Sequence, residues 1–347
     1  MAGNDLIYGN GGADTVIAFA NSRDTIIGGV GNDFVVTGAG TALVYGNEGD
    51  DTIFTGADSV GTAGDCTVIS GLGNDTILSG LGNDLIFGNE GADTLSARSG
   101  NNTIIGGQDS TDGADIITSG AGSDLIFGNG GDDSIASGSG GSGGNDTIIG
   151  GVGNDTVDAV TTATGNALIY GNEGDDHLIS SGGANTLFGG QGNDLIIGND
   201  GDDSLFGNEG DDRIFSREGI DTILGGSGAD VVGFTANTSA TPDFFRDLVF
   251  GEDKLAGITV DYAGNAGAVA GANLGDAATN ALTAVYFAGG GTGPATGDIA
   301  AQFTFGGQTN LAINAGGTAT FTDDTDTLLN ITGATGTISK TDFLAIV

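Results

Sequence analysis

Aspartate recurs in this chain at a fixed interval behind glycine, and a carboxylate held beside a glycine turn is a ligand for a hard cation. Gly28-Gly29-Val30-Gly31-Asn32-Asp33-Phe34-Val35-Val36 is a complete unit of the pattern G-G-x-G-x-D-x-U-x, with U aliphatic. Gly46 to Phe54, Gly150 to Asp158, Gly189 to Ile197 and Gly207 to Phe215 follow the same template. Glycine at positions 1, 2 and 4 lets the backbone take left-handed conformations and turn its carbonyls inward. The Asp at position 6 adds an anionic oxygen beside those carbonyls, and Ca2+ accepts about six to eight such oxygens.

Other chemistries fit the residues poorly. His177 is the only histidine, so an H-E-x-x-H zinc site is impossible. Gly140-Gly141-Ser142-Gly143-Gly144 matches G-x-S-x-G but lies in a turn insertion, without the strand-to-helix context of a nucleophile elbow. A glycosidase-like carboxylate pair is not needed to account for aspartates that the repeat already explains. Threonine ranks alternate with leucine and break, which argues against an ice-binding face. The expectation is a protein that is not an enzyme.

The elements that position the aspartates are set by the repeat. Counting degenerate copies, 24 units run from Gly3 to Gly233, and position 8 is Ile, Val or Leu in every one. One such unit encloses neither a core nor a metal, so units must stack. Two units per coil give about 12 coils, and strand spacing of about 4.8 Å gives a length of about 55–60 Å. Seventy-one glycines with only two prolines exclude collagen, and 38% hydrophobic residues can bury a core. A net charge of −39 rules out phosphate-directed nucleic-acid binding and calls for cations; about twenty Ca2+ would balance it. Cys66 is alone, so no intrachain disulfide staples the chain. No signal peptide is visible after Met1, and no apolar run reaches membrane-spanning length.

On these motifs residues 3–233 resemble the RTX (hemolysin-type calcium-binding) repeats of type I secreted bacterial proteins. The resemblance implies a right-handed parallel β-roll, all-β, over 1–233; the short alternating stretches that follow over 234–347 read as a small C-terminal antiparallel β domain that caps its open end. It implies many Ca2+ ions, on the order of 15–20. The implied ligands are Asp14, Asp33, Asp51, Asp75, Asp84, Asp93, Asp115, Asp124, Asp133, Asp146, Asp155, Asp176, Asp194, Asp203, Asp212, Asp221 and Asp230. Asp5, Asp24 and Asp65 sit in more degenerate units.

Alternate turns fall on opposite edges of such a roll. One edge keeps its Asp in every unit. On the other, Ala42, Asn102, Ala167 and Asn185 take the Asp position, and insertions fall near 57–63, 138–144 and 160–164. One fully and one partly metallated edge are expected. Strands entering the full edge carry bulky apolar residues at position 9, including Tyr8, Tyr45, Phe87, Phe127, Tyr170, Phe188 and Phe206. The opposite sheet has Ser96, Thr118, Ala136 and Asp158 there. Such a one-sided apolar row is covered by the C-terminal segment, tolerated in solvent, or packed against another subunit.

After Gly233, stretches such as Ala284–Phe287, Gln302–Phe305 and Thr327–Ile331 read as strands. Phe245–Leu248, Gly251–Leu255 and Asp342–Val347 resemble the family's post-repeat strand and its terminal secretion signal, implying a type I exporter as partner. Repeats start within three residues of Met1, so no effector domain is expected. The reading is a secreted, calcium-dependent structural protein that self-assembles into a filament or surface layer. A monomeric calcium-binding module, as a surface buffer or the tail of a toxin or enzyme, stays open beside it.

Overall fold

The computed structural model describes residues 3–18, 22–56, 64–138, 144–159, 165–233, 243–249, 252–256, 262–268, 299–305, 308–314, 327–331 and 343–344. Its elements are all β-strands; the described residues include no helix. The chain forms two compact units, Met1–Thr186 and Leu187–Val347.

In the first unit successive strands alternate between two parallel sheets. Strand β1 (Leu6–Gly11) pairs with β3 (Thr25–Val30), placing Ile7 beside Ile26 and Tyr8 beside Ile27. Strand β2 (Thr15–Ala18) pairs with β4 (Phe34–Thr37) in the other sheet, with Val16 beside Val35. The same register repeats coil after coil, to Ile148 beside Ile169 in one sheet and Val157 beside Leu178 in the other.

This in-register stacking follows from the single inward residue per nonapeptide. Position 8 points into a narrow interior, and from Ile26 to Leu178 these side chains are at most 1% exposed. Ile7 and Val16, in the first coil, are only half-buried. Positions 7 and 9 point outward, as strand alternation requires.

The second unit holds three more nonapeptide coils built the same way, with Ile196 beside Ile214 and Leu205 beside Ile223. Parallel pairing then continues past the glycine-rich text. Strand β25 (Asp243–Phe245) pairs with β23 (Thr222–Ser227), and β26 (Lys254–Ala256) with β24 (Val231–Gly233). Phe245 and Leu255 fill the inward position and are fully buried. Beyond them, β28 (Ile299–Phe305), β29 (Gln308–Asn314) and β30 (Thr327–Asn330) are antiparallel neighbours, as expected. Strand β27 (Tyr262–Ala268) is parallel to β28, and β30 is parallel to β25. Within this unit these strands therefore extend the sheet at its edge instead of lying across its face. Ala284–Phe287 lies outside the described residues, as does most of Asp342–Val347; Phe343 pairs beside Leu255.

The buried file predicts where stability resides. Ile126→Ala should destabilise the calcium-loaded protein by about 2–5 kcal/mol. Thr147→Ala, at outward position 7, should change it by less than about 1 kcal/mol. Urea midpoints followed by far-UV circular dichroism check both; equal losses would contradict the single-file core.

Candidate metal centre

Most turns on the full edge are shaped by two left-handed residues, and several on the interrupted edge by one. In the turn after Ile27, Gly29 and Gly31 have φ of 123° and 116°. In the next turn on that edge Asn47 takes position 2 with φ of 81°, a conformation that asparagine tolerates. The expected left-handed role of position 1 is not observed, since Gly28 and Gly46 do not have positive φ. Glycine is needed there for space. A Cβ on Gly28 would strike the Asp33 carboxylate, and one on Gly46 the Asp51 carboxylate.

The position-6 aspartates form rows along the two edges. Sixteen of the seventeen predicted ligands are buried, and Asp14 in the first coil is half-buried. On the full edge the Asp14 N–H donates to Asp33 Oδ1 at 2.8 Å, and that of Asp33 to Asp51 Oδ1 at 2.7 Å. The row continues through Asp75, Asp93, Asp115, Asp133 and Asp155 to Asp176. In the second unit Asp194, Asp212 and Asp230 are linked alike. One oxygen of each carboxylate is thus spent on the neighbouring coil. The other, Oδ2, is buried without a hydrogen-bond partner at Asp33, Asp51, Asp93, Asp115, Asp133, Asp155, Asp212 and Asp230.

The interrupted edge keeps its geometry where chemistry allows. Asn102 Oδ1 accepts the Asp84 N–H at 2.9 Å, and Asn185 Oδ1 accepts that of Ala167 at 2.8 Å. Their amide groups donate back to turn carbonyls, Asn102 Nδ2 to Gly100 O and Asn185 Nδ2 to Gly183 O. Asp65 is not part of the row: it is exposed, and Cys66 holds position 6, its N–H donating to Asp84 Oδ1 at 2.8 Å. Asp5 and Asp24 do belong, linked at 2.9 Å.

Three features escaped the sequence reading. Asp243 and Asp253 prolong the two rows, accepting from Asp221 and Asp230; D-x-U in Asp243-Phe244-Phe245 and Asp253-Lys254-Leu255 was the available signal. Position 5, a free position in the template, is mostly Asn or Asp for a reason. Its side chain accepts the position-5 N–H of the following coil, as Asp50 does from Asn74 and Asn83 from Asn101. This exposed outer row runs opposite in sense to the buried one. Finally, position 1 of the interrupted edge is often serine: Ser79, Ser119, Ser137 and Ser216 lie beside Asp84, Asp124, Asp146 and Asp221.

Burial dominates the electrostatics of the rows. It pushes Asp51, Asp93, Asp115, Asp133 and Asp212 up to about 7 from an ordinary 3.8, against the pull of the backbone hydrogen bond each accepts. The charges of neighbouring aspartates, Asp75 and Asp33 around Asp51 for example, add to the rise. Asp75, Asp155, Asp221 and Asp230 are raised to about 6, again chiefly by burial. Burial also raises the Cys66 thiol.

Among the described residues no three acidic, histidine or cysteine side chains converge. An ion here must be completed by backbone carbonyls, a donor set that suits Ca2+ and suits zinc poorly. The orphaned buried Oδ2 atoms and the cradles at position 1 fit that ion. The sequence profile of the RTX calcium-binding nonapeptide repeat (4 copies) matches residues 1–18, 21–43, 28–59, 60–86, 87–110, 109–140, 141–159, 161–196 and 197–232. The chain belongs to this family. No individual curated protein matches it. RTX repeats bind Ca2+, so calcium is the cofactor of this chain.

The raised carboxylates fix the sign of a pH effect. Between the unfolded value of 3.8 and the folded value of about 7, the metal-free RTX roll holds more protons than the unfolded chain. Its stability therefore falls as pH rises through that window. Without calcium the urea midpoint should drop from about pH 5 to about pH 7.5; in saturating calcium, where ion and proton compete, it should rise over the same range. A metal-free midpoint that climbs with pH would contradict the assignment.

Proposed function

We propose that this RTX chain is a non-enzymatic extracellular structural protein, folded by calcium, that self-associates through one face into a filament or surface layer. The observation carrying this reading is the outward row of large apolar residues on one sheet. Tyr8 is 56% exposed, and Tyr45, Phe87, Phe127 and Tyr170 remain half-buried. In the second unit Phe188 and Phe206 continue the pattern. The other sheet is interrupted at the same position by Ser96, Thr118, Ala136 and Asp158. A polar partner would leave such a row unused, whereas a second copy supplies a matching one.

The proposed ligands are drawn from the seventeen predicted aspartates together with Asp243 and Asp253. Calcium entry would neutralise their rows and drive folding, because an ion that binds only the folded state stabilises that state. In a low-calcium cytosol a charge of −39 would keep the chain extended for a type I exporter. The family's association with secretion supports this route, and no helix among the described residues is long and apolar enough to cross a membrane. No enzymatic role is proposed: His177 lies at outward position 7 of a strand, and residues 140–143 of the G-x-S-x-G match lie outside the described residues.

One observation favours the monomeric module instead. Outward rings satisfy one another within the chain, Phe188 stacking on Phe206 at 4.6 Å and Phe34 meeting Phe54 edge-on at 5.7 Å. Negative-stain microscopy and sedimentation, with calcium and with chelator, separate the readings. At neutral pH and above, where the metal-free roll is least stable, calcium should convert a largely unfolded monomer into folded assemblies, and Phe87→Lys with Phe127→Lys should abolish assembly while leaving the calcium-induced circular dichroism intact. Monodisperse particles of 33.8 kDa at all calcium concentrations would rule assembly out.

A further inference from the structure

Position 1 differs between the two edges in a way the nonapeptide template does not demand. On the full edge it is glycine in every unit except that of Ser70. On the interrupted edge it is usually a hydroxyl residue, as at Thr55, Ser79, Ser119, Ser137 and Ser216, all buried.

At the glycine sites two acceptors face one space. A Cβ on Gly46 would meet both Asp51 Oδ2 and Ser70 O, one on Gly88 both Asp93 Oδ2 and Gly106 O, and one on Gly128 both Asp133 Oδ2 and Gly150 O. Neither a carboxylate nor a carbonyl has a proton to offer, so only a cation or an added donor reconciles them. Ser70 supplies a donor to one of the two acceptors. Its buried hydroxyl donates to Gly88 O at 2.7 Å, the carbonyl equivalent to those just named, and it lies beside the Asp75 carboxylate. Asn102, standing in place of an aspartate, brings a donor of its own, its Nδ2 donating to Gly100 O at 3.1 Å and to Asp124 Oδ1 at 3.0 Å. Gly198 is the converse case: on the interrupted edge, it has Asp203 Oδ2 and Ser216 O in the full-edge relation.

The geometry points to a sorting rule: position-1 glycine sites take Ca2+, and position-1 serine or threonine sites carry their own proton donor and close without an ion. The rule rests on the calcium reading of the rows and decides which of them calcium occupies. Eleven position-1 glycines among the described residues lie against the Oδ2 of their own unit's aspartate. The number of tightly held ions is then about eleven, below the order of 15–20 that counting aspartates gives. The rule makes one edge calcium-dependent and leaves most hydroxyl sites of the other without an ion.

The test counts ions on the full chain. Native mass spectrometry after titration with CaCl2 and buffer exchange should give about eleven tight equivalents for the unaltered chain. Ser70→Gly should add one ion, and Gly88→Ser should remove one. Far-UV circular dichroism verifies folding; if Gly88→Ser does not fold, the gain in Ser70→Gly still decides. Close to twenty equivalents in a single affinity class, or a count unmoved by Ser70→Gly, would overturn the rule while leaving calcium binding in place. No bound calcium at millimolar concentration would overturn the calcium reading itself.

Discussion

A buried carboxylate stacked one strand spacing from the next is the constraint on which this molecule depends. At about 5 Å and an effective dielectric near 20, two such charges repel by about 3 kcal/mol, and each row repeats that contact along its edge. Protons relieve the strain in acid and calcium relieves it at neutral pH. The glycines, the tight turns and the parallel sheets all follow from keeping the carboxylates close enough to share an ion yet far enough from water to need one.

Adjacent coils are held by two kinds of bond besides the sheets. The buried row passes each amide forward to the next coil's carboxylate, as Asp33 does to Asp51. The exposed row passes it backward, as Asn74 does to Asp50. Between them runs one inward aliphatic per nonapeptide, such as Ile104 or Ile148, with no exposure at all. Such a core is too thin to fold one coil alone, so stability has to be shared between neighbours.

The stacked strands and the buried file were legible in the sequence because both rest on a strict period. Aliphatic position 8 and acidic position 6 recur whatever the neighbouring residues are, and the structure places them as that period requires. What stayed hidden lacked a period or had two explanations. Asp65 and Cys66 differ by one place, and an insertion before them removed the frame that would have chosen between them. Asp243 and Asp253 lost their glycines, although Phe244-Phe245 and Lys254-Leu255 kept the strand. Glycine at position 1 looked like a backbone requirement and is a packing one, because an oxygen of Asp33 or Asp51 occupies the room where a side chain would begin. The preference for Asn and Asp at position 5 makes sense only once the neighbouring coil's amide is seen opposite.

The forward row gives the roll a polarity. Every amide in it waits for an acceptor that arrives later in the chain, never earlier. A coil added on the C-terminal side brings carboxylates to amides already in place. One added on the N-terminal side brings amides to carboxylates that have already met their ion. The two directions of growth are therefore chemically distinct, and any stretch of this roll behaves as a track with a leading and a trailing end.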